Sequence, residues 1–315
     1  MTRYNEIDLS RIRTYSATDR SSTVRAEEEA KPPHEGMTMG QFLKSLPPIL
    51  KAKELEAVAQ AVVDARERNK PIIMMLGGHV IKTGCRPILA DLAERGFVTH
   101  FASSGAAAIH DTELACFNHT SEDVSEQLED GSFGMAADTA AVINGAAVRA
   151  QRQGEGFGEA LGAMLLDTDA DIHQRSLLAK CYHLNIPYTL HVALGTDIVH
   201  QHASAKGAAI GEASLRDFRI LCHSVSRLGD GGVVLNVGSA VILPEVFLKC
   251  LAVARNLASD VSGFVTANFD MIQHYRPTVN VVQRPVLSEG VGYSITGHHE
   301  IMIPLLAAAI HEAAA

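Results

Sequence analysis

Five short stretches of this 315-residue chain combine residue types that can do chemistry. They are GGHVIKTG (77–84), SSGAAAIHDTE (103–113), GTDIVHQH (195–202), NVGSAV (236–241) and NFDMIQHYR (268–276). In the second, His110 stands beside Asp111 and Glu113, and an imidazole flanked by carboxylates takes up a proton more readily, which suits acid/base transfer. The same spacing serves a plain helix start, where Asp111 and Glu113 complement the dipole. Gly77, Gly78 and Gly105, with His79, Ser103 and Ser104 around them, would let backbone N–H groups approach a phosphate, and Gly238 with Ser239 repeats the arrangement. Tight turns that need glycine at positive φ account for the same residues without a ligand. On the phosphate reading Asn268 or Asp270 would hold a ribose hydroxyl, and a bulky side chain at 105 would block the ligand with little cost to the fold. Neither glycine stretch is GxGxxG, and the acidic residue expected about 20 positions after that fingerprint is missing, His100 lying near its place. Lys82, Asp197 and His200 are further groups for holding or activating a substrate, and Lys206 is a second loop lysine. A rival use of the imidazoles is a metal site from His200, His202, His298, His299 and Glu300. His173, His183, His191 and His223 read as surface or satisfied core positions.

These stretches act together only if the fold brings them to one edge, and the apolar pattern supplies such a fold. Residues 72–76 (IIMML) form the short uninterrupted apolar run of a strand buried on both faces. A helix over the stripe Leu55, Val58, Val62 and Ala65 precedes it, and another follows with Pro87 in its first turn and Gly96 as its stop. Further strands are expected at 98–102, 188–193, 233–237, 263–267 and 279–282, with helices at 176–184, 212–228, 244–258 and 299–313. Such alternation predicts an α/β fold, doubly wound, with a mainly parallel sheet and helices on both faces. Ligands then gather at the carboxyl ends of the strands, where the five stretches fall. Residues 118–172 are expected to form helices and loops beside the sheet. Residues 1–36 are too polar to build a core and read as an N-terminal arm on a single domain of 37–315.

The order of the motifs resembles the deoxyhypusine synthase family. GGHVIKTG and ASSGA take the places of that family's first two strand ends, HLNIPYTLHVALGTD resembles its passage into a TDGS loop, and GFVTANFD resembles its YINTAQEFD strand. The segment 105–113 is also similar to GNALAVHDIE of the archaeal NAD-dependent ornithine cyclodeaminase type. The synthase's KHH is replaced by Ile242, Leu243 and Pro244, and the stretch 276–285 lacks its substrate-binding lysine, which disfavours that activity. The resemblance implies NAD as cofactor, transient hydride transfer on a small amine or amino acid, and a homotetramer.

Composition narrows the alternatives. With 27 Lys+Arg against 36 Asp+Glu and a formal charge of −9, the chain offers no basic tract for a nucleic acid. No apolar run approaches a membrane span, and the opening MTRYNEIDLSRIR lacks an apolar leader, so a cytoplasmic protein with a small-molecule substrate is expected. Five widely spaced cysteines suggest neither disulfides nor a zinc knuckle. GxSxG, P-loop and HExxH patterns are absent, which lowers the hydrolase, nucleotide-kinase and metalloprotease readings. A dinucleotide-binding sensor without turnover remains as an alternative to an enzyme.

Overall fold

The computed structural model describes residues 2–257 and 260–315. Six strands, β1 (Ile72–Leu76), β2 (His100–Ser103), β3 (Tyr188–Leu190), β4 (Val233–Val237), β5 (Val265–Asp270) and β6 (Val291–Thr296), form one sheet in the order β3-β2-β1-β4-β5-β6. Every pairing is parallel. Ahead of β1 lie α1 (Met39–Ser45) and α2 (Leu50–Glu67); α3 (Gly78–Lys82) and α4 (Arg86–Glu94) lead from it to β2. Between β2 and β3 come α5 (Gly105–Cys116), α6 (Val124–Asp130), α7 (Ala137–Gln153), α8 (Phe157–Thr168) and α9 (Leu177–His183). The remainder is α10 (Gly207–Val225), α11 (Ile242–Asn256), α12 (Tyr275–Pro277) and α13 (His299–Ala313).

The pleat explains the two cores. Ile72, Met74 and Leu76 of β1 point into the layer that includes α2, α5 and α13, while Ile73 and Met75 point the other way toward α10 and α11. All five are fully buried, as a central parallel strand covered on both sides requires. The chain winds outward from β1 through β2 to β3, then returns to β4 on β1's other side. That reversal opens a crevice outside the carboxyl ends of β1 and β4.

Several boundaries depart from the sequence reading. The expected strand at 279–282 is π-helical, part of Thr278–Gln283 between Pro277 and Pro285. Proline withholds the N–H that a ladder needs. The sixth strand is instead β6, an edge strand whose only buried residue is Ile295, so it lacks the apolar run that would announce it. The strand expected at 188–193 ends at Leu190, because the Val192 N–H turns to Ser214 Oγ (3.2 Å). The expected end of a helix at 258 lies outside the described residues. The segment 2–36 contains two single 3₁₀ turns and exposes Tyr4, Ile7, Leu9, Ile12, Tyr15 and Val24. Near its end the Lys31 N–H donates to Ser45 O (2.9 Å).

Candidate active site at the carboxyl ends of the strands

Parallel pairing carries the ends of β1, β2, β4 and β5 to one edge, and with them Gly77, Ser104, Gly238 and Asp270. The loops are packed against each other. A Cβ on Gly77 would lie 2.0 Å from the Gly238 carbonyl, one on Gly78 2.9 Å from Ala106 Cβ, and one on Gly238, at φ +71°, 2.6 Å from His299 Nε2. Close approach, of backbone at Gly77 and of neighbouring side chains at Gly78 and Gly238, therefore requires all three glycines, and only Gly238 needs a positive φ as well.

His110 sits one and a half turns into α5. Thr120 Oγ1 donates to Glu113 Oε2 (2.6 Å), and Thr139 Oγ1 donates to Glu113 Oε1 (2.9 Å), so each carboxylate oxygen has one donor. With its proton spent on Glu113, Thr120 accepts from His110 Nδ1–H at 2.7 Å. His110 Nε2 is left with a free lone pair, the state of a base oriented by a third group. Partial burial lowers the His110 pKa, Glu113 opposes this, and the nearby Lys82 ammonium and His79 lower it further. Lys82 and His79 are exposed on α3.

Asp111 does not join this arrangement. The helix turns it away from His110 into the core, where it accepts from Ser176 Oγ (2.7 Å), Leu177 N–H (2.9 Å) and Leu178 N–H (3.0 Å), fixing the start of α9. The expectation that Asp111 orients the ring or binds a substrate ammonium is thus corrected: of the two expected carboxylates Glu113 alone acts on His110, and it does so through Thr120, which the sequence reading did not name. Thr120 lies ten residues downstream in a loop, beyond any local spacing rule.

Asp197 is the second notable group. Its carboxylate occupies the space beside Gly105, where a Cβ would lie 2.0 Å from Oδ2. Oδ2 is buried without a hydrogen-bond partner, and burial raises the Asp197 pKa against the pull of His200. His200 Nδ1 accepts from the Gly195 N–H (3.1 Å) and Asp197 N–H (3.3 Å), which places its Nε2 4.0 Å from Oδ2. Asn144 Oδ1, also buried and unpartnered, lines with Asp197 and His200 a cavity of ≈ 10 Å³, about enough for one water. A buried carboxylate oxygen without a hydrogen-bond partner at the uncapped start of α5 asks for a donor.

Other expected ligand groups are committed elsewhere. Ser103 is fully buried, donating to Ser104 O and accepting from Tyr188 O–H, and so has no hydroxyl to offer a phosphate. Asn268 accepts from Asn236 Nδ2 (2.7 Å) and donates to Gln273 Oε1 (2.7 Å), which leaves it no role on a ribose. Ser239 accepts from the Leu243 N–H at the start of α11 (3.2 Å) and keeps its own proton. Asp270 ends β5 with Oδ1 4.0 Å from Nε2 of His299, whose buried Nδ1 has no partner. His299 reaches the strand-end edge because it follows β6, the strand that the sequence pattern did not reveal. The rival metal cluster does not assemble. His202 Nε2 turns to Gly134 O (2.8 Å), and among the described residues no three metal-ligating side chains converge.

Strand order and crevice together define a Rossmann-type α/β protein. Residues 56–197, from α2 to the loop after β3, match the family model of the arginine dihydrolase ArgZ-like C-terminal Rossmann fold domain, a little under half of the chain. The match takes in Gly77, Gly105, His110, Glu113 and Asp197. Among solved structures, cyanobacterial ArgZ, an arginine dihydrolase of the ornithine-ammonia cycle, superposes with a TM-score of 0.52 at 18% identity over 82% of this chain and 31% of its own. AgrE, solved with ornithine and NAD+, gives 0.54 at 13% identity over 84% and 34%. A conserved LOR/SDH-like protein of Methanococcus maripaludis S2 gives 0.55 at 15% identity over 95% and 74%. A deoxyhypusine synthase-like protein of Entamoeba histolytica gives 0.51 at 13% identity over 90% and 96%. The chain thus spans about a third of the length of ArgZ and AgrE, and at these identities the likeness is one of fold. No curated protein matches by sequence.

Proposed function

We propose that this chain is an NAD-dependent enzyme acting on a small amine or amino acid, ornithine being the first to test, with His110 as the base. The observation that carries this reading is the chain His110–Thr120–Glu113, which holds a neutral imidazole with Nε2 unengaged beside the strand-end loops. Gly78 and Ser239 would hold the pyrophosphate through backbone N–H groups and the Ser239 hydroxyl, whereas the N–H groups of Gly77 and Gly238 are spent on Val237 O (2.8 Å) and Phe269 O (3.0 Å) and serve only the close approach of the loops. Asp270, at the end of β5, offers a carboxylate for a ribose hydroxyl or a substrate ammonium, whereas Asp197 Oδ2 faces a cavity with room only for a water and would reach a ligand only after its loop shifts. When bound, NAD supplies the oxidant for transient removal of a hydride from the carbon that bears nitrogen. His110 Nε2 takes up the accompanying proton, Glu113 stabilises the imidazolium through Thr120, and Lys82 faces the substrate carboxylate. ArgZ, described as an arginine dihydrolase, and AgrE, seen with ornithine and NAD+, support the substrate class. The exposed apolar side chains of the segment 2–36 support a homo-oligomer in which that arm lies on a neighbouring copy.

Calorimetry of the purified protein with NAD tests the cofactor, and reduced-nicotinamide absorbance on adding ornithine and related amino acids tests the chemistry. Saturable binding with an absorbance change is expected. Binding without any change across the amines would favour a sensor, and absence of binding would remove the proposal.

A further inference from the structure

On the face of β2 and β3 covered by α10, three hydrogen bonds link four side chains. Ser224 Oγ lies 2.8 Å from His100 Nδ1, His100 Nε2 lies 3.0 Å from Thr189 Oγ1, and Thr189 Oγ1 lies 2.9 Å from His191 Nε2. His100 and Thr189 are fully buried and His191 nearly so. Burial pushes both imidazoles down to about 3, so each is neutral and carries one ring proton. At one end Ser224 lines a groove of ≈ 840 Å³ at the amino edge of the sheet, with His223 and Arg227. At the other, His191 directly follows β3, and its Nδ1 makes no hydrogen bond among the described residues.

We propose that Ser224, His100, Thr189 and His191 form a proton-conducting chain across the protein, from the amino-edge groove to the carboxyl end of β3. Thr189 has one hydroxyl proton between two ring nitrogens, its third contact, with Phe101 O, being long at 3.5 Å. If it donates to His100 Nε2, it accepts from His191 Nε2–H, and His100 Nδ1–H points to Ser224. A proton arriving at His191 Nδ1 then releases the one on Nε2 to Thr189. Thr189 passes its own to His100 Nε2, His100 passes the one on Nδ1 to Ser224, and Ser224 gives one to water. One proton enters, one leaves, and all four groups end neutral with every link reversed. The same heavy atoms satisfy both arrangements, which is the requirement for conduction.

This inference stands apart from the reaction proposed above, and its test needs no substrate. In ¹⁵N-histidine-labelled protein, the His100 ring proton is expected to exchange with solvent at least ~10²-fold faster than the Phe101 backbone N–H of the same strand. Ser224→Ala closes the groove end, and exchange should continue by way of Thr189 and His191. Adding Thr189→Val should slow it to the rate of the amide, whereas adding Thr189→Ser should keep it fast. If the doubly substituted protein unfolds, Ser224→Ala with His191→Phe makes the same break. A wild-type ring proton as protected as Phe101, full protection in Ser224→Ala alone, or undiminished exchange after the second break would each overturn the proposal.

Discussion

Glu113 and Asp111 are two residues apart, and the fold gives them opposite work: one orients an imidazole, the other fixes a helix start. His110→Asn is expected to lower turnover by ~10²-fold or more while NAD still binds, because only the proton acceptor is lost. Wild-type turnover in that variant would return His110 to the role of a helix residue. Since burial lowers its pKa, His110 stays neutral at and somewhat below pH 6.5, and the acid limb of kcat/KM should fall below that value. Thr120→Val should move this limb and reduce kcat, as the ring loses its orientation. Gly105 behaves differently from the expectation of a site for harmless blockade. A methyl there would collide with Asp197, so Gly105→Ala should cost about 1–3 kcal/mol in urea unfolding even without ligand, as overpacking does. An unchanged midpoint would show that Asp197 moves freely.

One carboxylate of α10 ties α8 to the edge strand β3. Asp217 Oδ2, on α10, accepts from the Gly158 N–H of α8 (3.0 Å) and the Leu190 N–H of β3 (2.7 Å). Its Oδ1 is buried without a partner, and burial raises the group to about 7 despite the backbone donors. The folded protein therefore holds this proton more tightly than the unfolded chain, whose value is near 3.8. The contribution to stability is full below pH 3.8 and is lost as pH rises through about 7. Thermal unfolding should show this decline, at most about 4 kcal/mol between the unfolded value of 3.8 and the folded value of about 7, and Asp217→Asn should flatten it. A slope unchanged by that substitution would place the titration elsewhere.

At the scale of the whole molecule, the arm of residues 2–36 is the segment whose apolar side chains find no core to enter. Six large apolar side chains stand exposed along it, a pattern that burial on another copy would resolve. Light scattering is expected to give a multiple of the 33.7 kDa chain mass, reduced when residues 2–36 are deleted. A full-length monomer would refute the oligomer and leave the arm as a surface segment. Among the described residues no helix is long and apolar enough to cross a membrane.

Much of the architecture was written locally. The run IIMML, the glycines that end β1 and β2, and the alternation of strand and helix stripes determined a parallel, doubly wound sheet, because burial on both faces imposes that pattern on each strand separately. Local order also placed the chemistry-bearing stretches at strand ends and singled out His110, Glu113 and Asp197. An edge strand half in water needs little apolar pattern, so β6 stayed hidden, and with it the place of His299 beside Asp270, a residue the sequence offered only as a metal ligand. Partners distant in sequence were hidden for a different reason. Whether Ser103 and Asn268 were free or committed, whether Asp111 faced a ligand or a helix, and that Thr120 would bridge His110 to Glu113 depended on which side chains came within about 3 Å. Tertiary packing alone fixes such distances, since a hydrogen bond vanishes with an ångström of displacement that no spacing rule along the chain can register.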